Sequence, residues 1–264
     1  STPLYSSAAS DVYKRQPEHM VVGTLAGAST LGLLIPPSII MIVYGVSAEV
    51  SISQLFIAGV LPGILLAALF SGYIMLWALR HPEQVPAADA RMSFMQKLSE
   101  SRSLIPVVLL IAAVLGSIYT GFATATEAAA VGVVGSLVLS AVQGSMTWGT
   151  FKDSLMGATR LYCMIALILA GAAFLTLAMG YIGLPRHLAE WIASLGLNQA
   201  QLIVALAVFY IILGCFLDGI SMVVLTMGVL MPTVQAAGID TIWFGIFIVL
   251  VVEMAQITPP VGFN

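Results

Sequence analysis

Residues 32–39 read GLLIPPSI and residues 257–264 read ITPPVGFN, so each of two apolar segments contains two consecutive prolines. A proline lacks the backbone N–H, clashes with the carbonyl four residues before it, and pushes the preceding residue out of helical geometry. Neither segment can therefore continue as an α helix through its prolines. We call residues 35–38 the first break and residues 258–260 the second break.

The composition of the chain indicates what surrounds these breaks. Of 264 residues, 60% are hydrophobic and 8% are charged, whereas about 25% of the residues of a soluble domain are charged. The mean hydropathy of +1.05 and the net charge of −3 exclude a water-soluble globule and a nucleic-acid-binding protein with a basic face. The sequence is that of a chain embedded in a lipid bilayer.

Apolar runs near the ~20 residues that cross a bilayer follow one another along the chain. After the first break we predict them at 55–79, 104–120, 124–142, 161–180, 201–217, 222–237 and 242–257. The basic residues of the loop 80–103 place it in the cytoplasm by the positive-inside rule: Arg80, Arg91, Lys97 and Arg102. Residues 151–160 are predicted to lie flat at the inner interface as an arm. The predicted fold class is an all-α polytopic membrane protein.

The two breaks enter the membrane from opposite sides when the spans are counted. The segment before the first break enters from the cytoplasm, and residues 242–257 enter from outside. Carbonyls freed at membrane depth are tolerated only beside protein or a water-filled cavity. Interrupted segments in opposite orientation indicate an inverted-repeat transporter with a site near the midplane of the bilayer. The alternative is a pair of proline kinks that only shape packing.

Asp218 interrupts another apolar stretch, and an acid at the centre of a span needs a partner or water. Two short legs flank it, residues 201–217 and residues 222–237. They form either two crossings, with Asp218 at a cytoplasmic end, or a re-entrant hairpin with residues 218–221 at its tip. Both arrangements leave residues 238–241 outside, so charge counting cannot choose between them.

Two further acids and two cysteines lie in or near apolar runs. The small polar residues 121–126 predict a helix N-terminus with Glu127 in the first turn, where the helix dipole stabilises its charge. The role of Glu253, five residues before Thr258, is left open. Cys163 and Cys215 have no metal or disulfide spacing, and we expect them to be buried, inert thiols.

Features of other functional classes are missing from the sequence. There is no G-x-S-x-G, no H-E-x-x-H and no P-loop, and no second intramembrane aspartate lies near Asp218. A membrane-embedded enzyme is therefore a distant alternative, and no catalytic residue, cofactor or metal centre is predicted beyond sites for a coupling ion. A scaffold or signalling subunit would need no breaks at membrane depth.

From about Pro17 onwards the chain resembles the large membrane subunit of tripartite ATP-independent periplasmic (TRAP) transporters, within the ion transporter superfamily. The resemblance is carried by strings that together span nearly the whole region: GLLIPPS at 32–38, SISQLFIAGVLPG at 51–63, ATATEAAAVG at 123–132, DGISMVVLTMGVLMP at 218–232, and residues 238–264 ending ITPPVGFN. Ala125 stands where such strings have proline. The family's first re-entrant hairpin and its earliest helices would precede Pro17.

The resemblance implies an inverted-repeat, elevator-type transporter with broken helices and a re-entrant hairpin. Residues 1–16 are polar and lack apolar periodicity, which indicates a non-native or artefactual tail. The resemblance divides the rest of the chain into the end of the first repeat (17–103) and most of the second inverted repeat, truncated at its C-terminus (104–264). The implied activity is sodium-coupled uptake of C4-dicarboxylates or sialic-acid-like acids across the bacterial inner membrane. The implied partners are a small membrane subunit and a periplasmic binding protein, and a standalone sodium/dicarboxylate symporter is the alternative.

The candidate site combines the breaks with the second hairpin. Freed carbonyls and hydroxyls offer oxygen ligands for Na⁺, and half-helix N-termini attract a carboxylate. The predicted substrate- or sodium-binding residues are Pro36, Pro37, Ser38, Asp218, Gly219, Ser221, Thr258, Pro259, Pro260 and Asn264.

Overall fold

The structure, a computed structural model, describes residues 18–85 and 101–257. The α helices in this part of the chain are α1 (Glu18–Leu34), α2 (Ile39–Ser47), α3 (Ile52–Arg80), α4 (Ile105–Tyr119), α5 (Ala125–Val142), α6 (Trp148–Ile182), α7 (Leu184–Ser194), α8 (Gln199–Gly214), α9 (Gly219–Ala236) and α10 (Thr241–Ile257). Short 3₁₀ helices occupy Pro82–Gln84 and Ser101–Leu104. No strand occurs among the described residues.

Four of the described helices, α3, α5, α6 and α9, are long and apolar enough to cross a membrane, and the bent pair α1 and α2 makes up to five. The remaining apolar helices α4, α8 and α10 are shorter. The predicted all-α polytopic membrane fold is thereby confirmed.

The first break forms as the prolines predict. α1 ends at Leu34, α2 begins at Ile39, and the two helices are bent by 43°. Ser38 caps α2, because its hydroxyl accepts a hydrogen bond from the Met41 N–H at 3.3 Å. The same hydroxyl donates to the Leu33 carbonyl at the end of α1, so one side chain satisfies backbone groups on both sides of the break.

Glycines of α3 bring that helix close to the first break. A Cβ on Gly59 would lie 3.2 Å from the Leu34 carbonyl oxygen, and one on Gly63 would lie 3.0 Å from the Ile35 Cγ1. Small residues four apart let helices approach to backbone contact, as is common in membranes. α3 thereby holds the first break on one side, while α9 and α10 pack on the others.

The long helix α6 differs from the sequence prediction. Residues 151–160 do not form a separate element, because they belong to one continuous helix of 35 residues, about 52 Å long. Cys163 on this helix is exposed, which corrects the expectation of a buried thiol, since the surrounding face of α6 is apolar but unpacked. The expectation for Glu127 is met: it forms a capping box with Thr124, whose N–H donates to its carboxylate at 2.8 Å.

The short helix α7 has no counterpart among the predicted spans. It begins directly after Gly183, whose φ of 77° permits the left-handed turn at the end of α6. α7 packs against α9 and the end of α6. Together with α8 these helices enclose an apolar cavity of about 520 Å³, lined in part by Leu188, Ile192 and Leu206.

Candidate functional site

The predicted hairpin tip, residues 218–221, follows residues 215–217, which connect α8 to it, and includes the start of α9. Asp218 is the N-cap of α9: its Oδ2 accepts hydrogen bonds from the N–H groups of Ile220 and Ser221, each at 3.1 Å. These donors belong to the unpaired first turn of the helix, and the carboxylate lies at the positive end of the helix dipole. Asp218 is half-buried, and Gly219 behind it is buried.

Gly219 is the point at which the tip contacts the rest of the site. A Cβ at this position would lie 2.9 Å from the Ile40 Cδ1 in α2, 2.7 Å from the Val252 Cγ1 and 2.6 Å from the Gln256 Nε2 in α10. Only a residue without a side chain allows this approach. The start of α2, the hairpin tip and the last two turns of α10 therefore converge on one place, which we call the junction.

The lengths of the helices at the junction fit either arrangement of the hairpin. α9 is long and apolar enough to cross a membrane by itself, and α8, with 16 residues, is about 24 Å long. The re-entrant hairpin and the two full crossings therefore both stay predictions.

Two hydrogen bonds outside the junction join neighbouring helices of the site. The Tyr210 hydroxyl in α8 lies 2.5 Å from the Thr226 Oγ1 in α9, which joins the two legs of the hairpin. The Tyr44 hydroxyl in α2 donates to the Thr241 carbonyl at the start of α10, at 2.6 Å. Each bond ties a hairpin leg or a half-helix to its neighbour.

The two half-helix N-termini at the junction are capped by their own side chains. Ser38 caps α2 and is fully buried, and Asp218 caps α9. The positive end of α9 is therefore partly neutralised by a carboxylate of the same chain. This arrangement suits a cation beside Asp218 better than it suits the carboxylate of a substrate.

The other predicted residues of the first break and the tip have different surroundings. Pro36 is buried, whereas Pro37 is exposed and borders an apolar cavity of about 370 Å³ between the first break, α4 and α5. Ser221 is half-buried in the first turn of α9. The structure thus brings Ser38, Asp218 and Gly219 to the junction and turns Pro37 away from it.

Four predicted residues lie outside the described part of the chain: Thr258, Pro259, Pro260 and Asn264. α10 is described to Ile257, one residue before the second break, and its last turns already touch the hairpin tip. The roles of these four residues remain predictions.

Glu253 is a feature of the junction that the sequence left open. It is 4% exposed, and its Oε1 has no hydrogen-bond partner among the described residues. The carboxyl group lies against the backbone of Leu34, the last residue of α1. The sequence signal was the acid itself in an apolar helix; the sequence could not show that the end of α1 would face it.

The described residues contain no group of three or more His, Cys, Asp or Glu side chains that could hold a metal ion. Oxygen ligands for a monovalent cation at the junction would have to come from backbone carbonyls, hydroxyls and single carboxylates.

Comparison with known proteins adds the family. The family described as "Tripartite ATP-independent periplasmic transporter, DctM component" matches residues 11–264. The chain is 33% identical over 249 residues to the C4-dicarboxylate TRAP transporter large permease protein DctM of Pseudomonas aeruginosa. The matched region covers 94% of this chain and 58% of the relative. It is 35% identical over 251 residues to the ectoine/5-hydroxyectoine TRAP transporter large permease protein UehC of Ruegeria pomeroyi (93% and 57%).

A third relative is the sialic acid TRAP transporter large permease protein SiaM of Vibrio cholerae, 30% identical over 243 residues, with 91% of this chain and 56% of the relative covered. The chain therefore spans a little under six tenths of the length of these relatives.

Proposed function

The chain belongs to the DctM component family of tripartite ATP-independent periplasmic transporters, and on this basis we propose that it forms part of a sodium-coupled importer of small organic acids. The family is one of multi-pass membrane permeases rather than of enzymes. We place this permease in the bacterial inner membrane, where a sodium gradient can drive uptake.

The convergence at the junction is the observation that carries the proposal. A broken helix, the hairpin tip and the end of α10 meet at one place, and we infer that this place lies at membrane depth, where irregular backbone is tolerated only beside protein or a water-filled cavity. Binding sites of transporters built from inverted repeats lie at such places. Two proline kinks that only shaped packing would not require Gly219 to touch both α2 and α10.

Asp218 is the residue that we expect to attract Na⁺. Its carboxylate is half-buried and keeps lone pairs beyond the two N–H groups that it caps. Hard cations take carboxylate, hydroxyl and carbonyl oxygens, and we propose that Ser221, Thr258, Asn264 and the backbone at Pro36, Pro259 and Pro260 supply the remaining ligands for Na⁺ or substrate. Ser38 contributes by holding the first break in shape.

The substrate class follows from the relatives. Their names give C4-dicarboxylate, ectoine and sialic acid, which are all small molecules with a carboxylate. Because those proteins are named large permeases, we propose that a small membrane subunit completes the complex. A periplasmic binding protein would deliver the acid. No cofactor other than Na⁺ is part of the proposal.

The test is uptake into proteoliposomes that contain the full-length protein and its small subunit. Radiolabelled succinate and sialic acid are offered with and without the binding protein, and with and without an inward sodium gradient. We expect uptake of one of them only when both are present. Sodium-driven uptake without the binding protein would favour the standalone symporter, and sodium-independent uptake would contradict the proposal.

A matched pair of variants assigns the sodium dependence to Asp218. Asp218→Asn keeps a side chain that caps helices well but removes the charge, and we expect the sodium concentration for half-maximal uptake to rise about tenfold, which corresponds to about 1.4 kcal/mol. Asp240→Asn is the control, because Asp240 also caps a helix, α10, through the Trp243 N–H at 2.8 Å, but is exposed. If the two substitutions raised the sodium concentration for half-maximal uptake equally, the result would show that Asp218 does not belong to the sodium site.

A further inference from the structure

Glu253 is the buried acid at the junction that the proposed function does not use. It lies in the last two turns of α10, where neighbouring Val252 is fully buried and Gln256 is 8% exposed. The residue is 4% exposed and its Oε1 has no hydrogen-bond partner among the described residues. An ionised carboxylate in such a place would need a cation or several donors.

Among the side chains that the structure describes, those of residues 20–85, 101 and 104–257, no cation forms an ion pair with Glu253. α10 packs against α1, α2, α3, α8 and α9. The titratable residues on these helices and on the α9 cap are Glu18, His19, Tyr44, Tyr73, Arg80, Tyr210 and Asp218. Glu18, His19 and Arg80 belong to helix ends remote from the junction.

The nearest backbone gives the carboxyl group one partner. The Leu34 N–H, at the end of α1, donates a hydrogen bond to one carboxyl oxygen, whereas Oε1 has no partner among the described residues. One hydrogen bond does not compensate an ionised carboxylate for the water it loses on burial, so burial favours the neutral acid.

We propose that Glu253 is a proton-binding site at the junction, and that the acid is neutral as long as the hairpin tip is seated on α10. The bound proton neutralises the carboxyl group, which would otherwise need a cation beside it. Movement of the tip away from α10 would admit water to the carboxyl group and release the proton. The junction therefore binds a proton in addition to the sodium ions of the proposed function.

Infrared spectroscopy of the full-length protein in a detergent without ester groups tests this directly, because a protonated carboxylic acid has a C=O stretch that a carboxylate lacks. At neutral pH we expect the wild-type protein to show this band and to shift it in D₂O. Glu253→Gln, a neutral isostere of the protonated acid, should lose the band. The control Glu83→Gln, which removes an exposed acid, should keep it.

Two results would overturn the proposal. A wild-type protein without an acid band at neutral pH excludes a neutral Glu253 even if no variant folds, and a band that persists unchanged in Glu253→Gln assigns the proton to another residue. Because the spectrum needs neither substrate nor a sodium gradient, its outcome is independent of the uptake experiment that tests the proposed function.

Discussion

Two groups of helices have nearly the same hydropathy but very different contacts. In α9, 56% of the most apolar 18-residue window is buried inside the protein, whereas in α5 and α6 the share is 6%. We call α1, α2, α3, α8, α9 and α10 the central group, and α4, α5 and α6 the peripheral group. The first break, Asp218 and Glu253, which interrupt the apolar pattern near the junction, belong to the central group.

The glycines around the junction differ in the same way from those of α6. Gly214, Gly219 and Gly245 have neighbouring atoms where a Cβ would stand. In α6, by contrast, Gly157 and Gly171 have nothing within 4 Å of that position. Hydropathy thus reports that a helix is in the membrane, while a crowded glycine shows where that helix touches another part of this chain.

The largest effect is expected from a methyl group added where the central group is tightest. In Gly214→Ala the new Cβ would overlap the Cβ of Ala255 in α10, whose Cα is only 3.2 Å away. Neither atom belongs to a flexible side chain, so a helix must shift, at a cost of about 1–3 kcal/mol. Thermal unfolding of the full-length protein in detergent should show a lower midpoint and sodium-driven uptake should fall.

The matched substitution in the peripheral group is Gly171→Ala. It adds the same methyl group where no atom lies within 4 Å, and alanine favours a helix by about 0.5–1 kcal/mol over glycine. The midpoint should stay the same or rise. If Gly171→Ala lowered it as much as Gly214→Ala, the peripheral group would be as tightly packed as the central one and the comparison would fail.

A smaller difference is expected between two helix caps of the same chemistry. Ser38→Ala removes the buried hydroxyl that serves both Met41 and Leu33, which leaves buried backbone groups unpaired at a cost of about 1–3 kcal/mol. Thr147→Ala removes the exposed cap of α6, which accepts from the Thr150 N–H at 3.1 Å; water can replace it, and about 0.5 kcal/mol should be lost. Unfolding midpoints measured side by side test the order, and the reverse order would contradict the burial of the first break.

Local chemistry explains how much of the fold could be predicted. The first break follows from Pro36 and Pro37 alone, and the capping box of Glu127 follows from Thr124 three residues before it. Each of these features depends on residues close together in the chain. The apolar runs likewise predicted the spans, since the bilayer sets their length.

Features that depend on distant residues could not be read in the same way. The meeting of the hairpin tip with α2 and α10 is seen only in the contact of Gly219 with Ile40 and Gln256. The burial of Glu253 could not be predicted either, because it depends on packing against the end of α1, which is distant in the sequence. Residues 151–160 gave a weak amphipathic pattern that fits an arm as well as the first turns of a long helix, and only the continuous α6 decides between them.

The smallest effect is expected for the charged pair on α7, which borders the central group without entering it. The Arg186 Nε donates to the Glu190 Oε1 at 2.8 Å, and both side chains are exposed. This hydrogen bond lowers the pKa of Glu190 below its ordinary value, so the pair contributes stability above that value and loses it as the pH falls through the lowered pKa.

Because both groups face solvent, the contribution is screened by water and salt. Glu190→Gln should lower the unfolding midpoint slightly at neutral pH, and the difference from wild type should vanish in high salt and once the pH is below the lowered pKa of Glu190. α7 is held instead by the apolar contacts of Leu188 and Ile192 beside α9. An effect of Glu190→Gln as large as that of Ser38→Ala would show that surface charge, rather than burial, separates the two groups of helices.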